Sequence, residues 1–531
     1  MMSKALEPSR PWLVDSLFFL ATLWAVPLHA QEAKPEKAET PQVPIAEQIA
    51  KLDVELKTNG EAAQKNRLEL AELQRQQFDL NLKLKHLESQ LQTLDKTQLE
   101  GRQKIEKLLT DSGQWISFSQ KIAPILRDHC LTCHNPRNPQ GQYIVATYAN
   151  LVGNGESGPA VAPGEAEKSP LYKLTADHSM PQDSSPLSAE QVELIKRWID
   201  AGARLDSGAQ RDDSIFRLAP RGEQVQPPEH YPAPIPISAV AVSTNGELIA
   251  TSGYYEVLLW SANDGMLVSR IPGVAQRVHA IEFLSDGKRI AVASGTPGRV
   301  GEARVFDLTN GQPIADLLFC QDSALCLAGS PDGKHLAVGE TSGAITVFAV
   351  QEKSFDQLYR IEDHSDWTTG LSWSRDSKWI VSASRDKTSK VFDASNGKSK
   401  ITFNGHEQPV LSVSFADDNQ HVISVGEDHR LRIWNISEAK QIHDLKEFDS
   451  PSWLLRFDEK HCLVVGTERK AVLVEVSAGK KGKKFDFSAP LVSSAALNTN
   501  RTRAYLGTYQ GKLHSIDLSD AGTEIVFQAT P

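Results

Sequence analysis

The sequence predicts a multidomain chain: an N-terminal α-helical coiled coil, a small all-α domain and a C-terminal all-β propeller. Three patterns carry that expectation. Apolar residues recur at alternating steps of four and three through residues 45–110. Cys130 and Cys133 stand in a stretch of short helices and Gly/Pro-rich loops, and residues 235–531 repeat every 40–46 residues. A chain of 531 residues exceeds what one core accommodates and should divide into two or three domains.

Composition narrows the function. With 40% hydrophobic and 23% charged residues the chain has the make-up of soluble proteins. Its 57 Lys and Arg against 67 Asp and Glu leave a net charge of −10. That balance offers no footprint for nucleic acid and disfavours adhesion to an anionic membrane. No nucleophile elbow, phosphate loop or pair of catalytic carboxylates is evident.

The first thirty residues have the order of an export signal. Lys4 and Arg10 form a basic start, Ser16 to Val26 is largely apolar, and Pro27-Leu28-His29-Ala30 stands where cleavage would fall. The apolar run is short for a bilayer span, and a buried N-terminal helix is the alternative. Residues 31–44, rich in Pro, Glu, Lys and Ala, read as a tether.

Ile45, Ile49, Leu52 and Leu56 open the heptad series, and Leu70, Leu73, Leu80, Leu84, Leu87, Leu91, Leu94, Ile105 and Leu108 continue it in register. This is the seam of a coiled coil. Acid-before-base pairs four residues apart (Glu47 with Lys51, Asp53 with Lys57, Asp79 with Lys83, Glu100 with Lys104) support the helix off the seam. Asn59-Gly60 is expected to form a turn that folds a short helix back on a long one. Gln77, Gln98 and Gly101 weaken the seam. Lys83 facing Glu88 of a second strand is the clear charge pair for a parallel dimer, and a solvated single helix acting as a spacer is the alternative.

Residues 114–205 form the next domain. Phe118, Ile122, Ile125 and Leu126 recur at helical spacing and lead into Cys130-Leu131-Thr132-Cys133-His134. Cys-X-X-Cys-His is the attachment sequence for a c-type haem: two thiols on one turn bond the porphyrin vinyls, and the histidine becomes an axial ligand of the iron. Met180, one of four methionines, follows the long loop from Gly141 to Gly164 and precedes Pro181, which suits a distal ligand. His178 is its rival. Ser188 with Glu190 and Gln191 is a helix-capping pattern, and the helix it starts should bury Val192, Leu194, Ile195, Trp198 and Ile199. Zinc held by the cysteines with His129 and His134 is the competing use of this motif.

The stretch from Phe118 to Arg204 resembles the planctomycete-type cytochrome c domain. The resemblance rests on Pro124-Ile125-Leu126 ahead of the cysteines, on Met180-Pro181, and on Trp198-Ile199-Asp200-Ala201-Gly202-Ala203. It implies one covalent haem c, with thioethers at Cys130 and Cys133, His134 proximal and Met180 distal. Where that family often has a second proline after the methionine, this chain has Gln182.

Residues 206–234, with Pro227, Pro228, Pro232 and Pro234, read as a second linker. Beyond it, β-rich phrases end at Trp260, Phe306, Phe348, Phe392, Trp434, Val474 and Ile516, each with a polar turn between strands, such as Ser285-Asp286-Gly287. That period and rhythm indicate propeller blades. The phrases resemble WD40 repeats. The fifth carries Gly405-His406, Ser424, Asp428 and Trp434, and the fourth carries His364, Ser382 and Asp386 with Phe392 in place of tryptophan. The resemblance implies seven blades, and in a full repeat a hydrogen-bonded His-Ser-Asp-Trp chain that pins the strands of one blade; the other phrases are more degenerate. The last phrase supplies its own outer strand near Glu524 to Gln528. Cys320, Cys326 and Cys462 read as buried free thiols, with a Cys320–Cys326 bridge as the alternative. Lys480, Lys481, Lys483 and Lys484 read as a solvated hairpin tip.

Together these readings describe an exported c-type cytochrome, periplasmic or secreted in a bacterium, that transfers electrons rather than catalysing a reaction. Its propeller would dock a redox partner protein, and its coil would space the assembly or join it into a homo-oligomer. No membrane span is expected after signal cleavage. Two alternatives stand beside this: an interaction scaffold whose haem is structural, and a peroxidase-like enzyme with Met180 loosely bound.

Overall fold

The computed structural model describes residues 45–531 except 136–137, 141–142, 154–157, 183–184, 222–224, 447, 449–451, 520–523 and 530–531. The expected export signal and tether lie outside the described residues. The chain divides into two compact units, residues 1–95 and 96–531.

Helix α1 (Ile45–Asp111) is continuous for 67 residues. The turn expected at Asn59-Gly60 does not form. An interior glycine costs a helix about 1 kcal/mol, and the strong helix formers Glu61, Ala62, Ala63, Gln64 and Lys65 that follow carry it through. Thr58 adds a hydroxyl bond to the Val54 carbonyl at 2.7 Å. The helix ends at Gly113, whose φ of 70° is open to glycine, while the amides of Gln114 and Trp115 both reach the Leu109 carbonyl.

A π-helical turn (Phe118–Ile122), capped by Ser117, runs into α2 (Ala123–His129), with Pro124 in its first turn where the missing amide is no loss. Three short helices follow: α3 (Tyr148–Val152), α4 (Pro170–Ala176) and α5 (Ala189–Asp200). Ser188 and Gln191 form the capping box at the head of α5. That helix buries Ile195, Trp198 and Ile199 fully and leaves Val192 and Leu194 half-buried. Phe118 is the hub of this core, with Tyr148 and Trp198 each at 5.3 Å between ring centroids. The core does not stop at Leu205. Ala209, Ile215 and Ala219 are buried in the same cluster, and Ile215–Leu218 forms helix α6. The first part of the expected second linker is therefore packed structure, because its apolar residues cover the face that Phe118 and Leu126 leave open.

The remaining strands form a propeller, corrected from the expected seven blades to five. Residues 324–361, 368–403, 410–445, 452–490 and 492–528 are discrete four-stranded antiparallel sheets, and the residues before them make one seven-stranded sheet. The cause is the strand Leu267–Phe283. Its first half pairs with Tyr254–Ser261 and its second half with Arg289–Thr296, and Arg277 has partners on both sides. Later blades insert a polar loop such as 362–367 between outer and inner strands. Here Pro272-Gly273-Val274-Ala275 carries the chain across without one. The ring closes where Ile237 lies between the last and first sheets. Its amide bonds to the Thr508 carbonyl, its own carbonyl accepts from the hydroxyls of Ser493 and Ser494, and Tyr505 and Leu513 pack against Ile249 and Trp260. Glu524–Gln528 is the outer strand of the last blade, as expected. The lysine run belongs to the exposed outer strand Lys480–Pro490 and not to a hairpin tip. Cys320, Cys326 and Cys462 are free and buried.

The inner strands surround a cavity of about 360 Å³ lined by Glu282, Trp373, Ser414 and Arg456. Burial pushes the Glu282 carboxyl up to about 7, against a single amide donated by Gly329. The folded chain thus holds a proton there that an unfolded carboxyl, near 4.5, has released. This stabilises the fold below pH 4.5 and is lost as pH rises through 7. In denaturant titrations across this range, Glu282→Gln should gain stability relative to the parent progressively from pH 4.5 to 7.

Candidate haem-attachment site and blade networks

Helix α2 delivers the cysteines. Cys130 caps it with an amide bond to the Leu126 carbonyl at 3.0 Å, and its own carbonyl then accepts from the amides of Cys133 and His134 at 3.3 and 3.0 Å. The turn is braced from outside by the Asn135 side-chain amide, which donates to the carbonyls of Leu131 and Thr132. His134-Asn135 pairs with Asn138-Pro139, and the His134 carbonyl accepts from Val145 at 2.8 Å. Both thiols are free. Burial, and secondarily Cys133, pushes the Cys130 thiol up to about 12, so it stays protonated at neutral pH.

Three observations bear on what the motif can hold. The Nδ1 atom of His134 is buried with no hydrogen-bond partner, so the imidazole is not satisfied by the described protein. Among the described residues no three His, Cys, Asp or Glu side chains converge as metal ligands, whereas zinc needs its four donors around one point. Haem c makes the opposite demand, with sulfurs at the ring edge and imidazole at its centre. The residues fit haem and do not make a zinc site.

Met180 follows α4, its amide bonded to the Leu174 carbonyl at 2.8 Å, and its side chain is half-buried. His178 is exposed, with a left-handed φ of 62°. Of the two rivals, the methionine is the one drawn inward. Gln191, in the first turn of α5, approaches the His129 ring at 3.4 Å and so joins the α5 end to the cysteine turn.

Thr132, between the two cysteines, lines a cleft of about 580 Å³ with Arg127, Arg221, Tyr255, Arg299 and Phe319. Arg221 crosses to the propeller, pairing with Glu302 at 3.3 Å and Asp316 at 3.0 Å and lying over the Phe319 ring.

The fifth phrase forms the chain its resemblance implies. The Ser424 hydroxyl accepts from the Trp434 indole at 3.3 Å and bonds His406 Nε2 at 2.8 Å, and His406 Nδ1 faces the Asp428 carboxylate at 3.1 Å. The fourth phrase repeats the His364 links to Ser382 and Asp386 at 2.6 and 2.7 Å, without an indole. Sequence reasoning missed Arg432. Only 3% exposed, it donates at 2.6 Å from the strand Leu431–Asn435 to Asp428 in the turn before it. Burial pushes the His406 imidazole down to about 4, Asp428 opposing and Arg432 assisting.

Two sheets lacking the motif use another device, a buried glutamate paired with an arginine. Arg270 grips Glu256, which also accepts from the Tyr231 hydroxyl, and Arg360 grips Glu340. Trp260 keeps half of the usual chain by donating to Thr251 at 2.8 Å. A glutamate in a strand with an arginine 14 or 20 residues later was the available sequence signal.

The fold is a β-propeller joined to a helical segment that carries a Cys-X-X-Cys-His turn. Residues 355–393 and 397–435 match the family profile "WD domain, G-beta repeat". Residues 130–183, which include both cysteines, His134 and Met180, match "Planctomycete cytochrome C". Similar curated proteins include the periodic tryptophan protein 2 homolog of Schizosaccharomyces pombe, 26% identical over 31% of this chain and 21% of that protein. Transcription factor unc-37 of Caenorhabditis elegans is 26% identical over 41% of this chain and 35% of that protein. WD repeat-containing protein SL1-17 of Schistosoma mansoni is 27% identical over 37% of this chain and 78% of that protein. The chain thus spans only a fifth to a third of the length of the first two. A chain in the crystal structure of the mitotic checkpoint complex is 18% identical, covering 57% of this chain and 97% of that one at a TM-score of 0.49. No helix among the described residues is long and apolar enough to cross a membrane.

Proposed function

We propose that this chain is a protein-docking scaffold that holds one covalent haem c beside its docking face. The observation that carries the scaffold reading is where the propeller exposes apolar side chains in its loops. Tyr509 stands between the second and third strands of its sheet, Tyr254 opens the third strand of its own, and Trp367 and Leu491 directly precede innermost strands. In antiparallel sheets wound from the centre outwards, those positions all fall at one end of the blades. Four exposed apolar residues on this face, against Met266 in a loop at the other end, suit a protein partner. Arg299, in a loop at the same end, and Tyr255, near the start of its strand, share a cleft with Thr132.

The electron-transfer reading rests on the braced turn with two free thiols and the unsatisfied His134 ring. Cys130 and Cys133 would hold the porphyrin, with His134 and Met180 as axial ligands. The bound haem would supply reversible one-electron chemistry, its potential raised by a thioether ligand. The chain's own residues keep the Cys130 thiol protonated, orient the imidazole and wrap the segment in apolar side chains. This reading carries its compartment with it, since covalent attachment of this type in bacteria takes place outside the cytoplasmic membrane.

The deciding experiment isolates full-length protein matured in a haem-attaching host. Colour that stays with the polypeptide after acid-acetone extraction, with a low-spin reduced-minus-oxidised spectrum, is the expected result. A colourless polypeptide refutes the haem reading, and high-spin ferric haem moves the assignment to a peroxidase. Recovery of a partner from the source organism by parent protein, and its loss with Trp367→Ser plus Tyr509→Ser, tests the scaffold separately.

A further inference from the structure

We propose that the seam of α1 is the interface of a parallel, in-register two-stranded coiled coil with a second copy of this chain. The seam is unbroken. Because the helix runs straight through Asn59-Gly60, Ile49, Leu52 and Leu56 share one register with the leucines that begin at Leu70. These residues stand in solvent along a helix about 100 Å long, from 37% exposed at Ile105 to 70% at Leu108. An apolar stripe of that extent is an interaction surface.

Within residues 96–111 the described helical domain leaves the seam open. Where α1 meets the helical domain it does so through Arg102, which donates to the Ala209 carbonyl, and Glu106, which accepts from the Ser207 amide. Both lie off the seam, and Ile105 and Leu108 beside them remain open.

Self-complementarity selects the occupant and its orientation. Asn59, Asn66, Gln77 and Gln98 fall on seam positions, where each meets its own counterpart in a parallel pair of equal register. Primary amides match there as donor and acceptor. A slip of one heptad sets Gln77 and Gln98 against leucine or isoleucine and strands their amides. A polar residue on the seam is a known device for fixing register. The same alignment brings Lys83 of one strand to Glu88 of the other, and reversing one strand abolishes that pair. Parallel pairing has a consequence for the assembly: both chains leave the coil at Trp115 from the same end, so two Cys-X-X-Cys segments come out side by side.

Light scattering on the full chain tests this. The expected mass is that of two chains, falling to one in Leu84→Lys plus Leu87→Lys while the propeller's melting transition stays in place. Gln77→Cys should cross-link under mild oxidation, and Phe78→Cys, exposed but off the seam, should not. A monomeric parent overturns the proposal. So does a mass of three or more chains, which the off-seam Phe78 and Leu82 would favour. A dimer that Gln77→Cys fails to cross-link overturns the register and orientation.

Discussion

A chain carrying Cys130→Ser together with Cys133→Ser should mature with no porphyrin bound covalently, a complete loss and not a partial one. Each thiol is free and each would supply one thioether, so the single variants should retain colour with one vinyl group unsaturated. Pyridine haemochrome spectra distinguish the three cases, because the band position reports the number of saturated vinyls. The unfolding transition of the propeller should be unaffected. The helical core around Phe118 and Trp198 is a cluster of its own, separate from those of the blades. An unchanged haem content in the double variant would remove the attachment role from these residues.

The second large effect is expected at Asp428→Ala. That carboxylate accepts from Arg432 and faces His406, and the Arg432 and His406 side chains are almost wholly buried. Removing it leaves a guanidinium without its counter-charge in the blade interior, which typically costs about 3–5 kcal/mol. For a domain of this size that is a fall in melting midpoint on the order of 10 °C. In an Arg432→Met background the same substitution should cost much less, since no buried cation is then stranded. Equal losses in both backgrounds would show that Asp428 acts through His406 alone. Acid should expose the same network. Folded His406, held to about 4, refuses a proton that the unfolded ring accepts near 6.5. Its contribution is full above pH 6.5 and drains away as pH falls towards 4. His279, also pushed down to about 4, first by burial and then by Arg277, adds to the same window. Glu282 opposes them between pH 4.5 and 7.

Much of this molecule was legible because its signals are local. The α1 heptads, the cap at Ser188, the approach from Phe118 to Cys130 and the WD phrases around His364 and His406 each lie within a few tens of residues, where spacing alone dictates which side chains share a face. The errors share a different cause. Asn59-Gly60 has turn chemistry, but the helix formers after it outweigh a penalty of one residue. Residues 206–219 look like linker because their apolar residues are sparse. Ile215 is nonetheless fully buried, because a partner sixty to a hundred residues upstream needs covering. Arg432 went unnoticed for the same reason: nothing in its neighbourhood says that the strand pair will bury it beside Asp428.

The amino-acid order by itself determined the heptad register, the Cys-X-X-Cys-His turn and the repeating strand phrases, since each is set by rise and residues per turn along one stretch of backbone. Tertiary structure alone decided that Leu267–Phe283 joins two phrases into one sheet, leaving five discrete blades. It also decided that a glutamate–arginine pair stands in for the histidine chain in two sheets, and that Thr132 shares a cleft with propeller residues. Those outcomes depend on which distant surfaces must leave water together, and burial energy is summed over the closed ring and not over any segment of the chain.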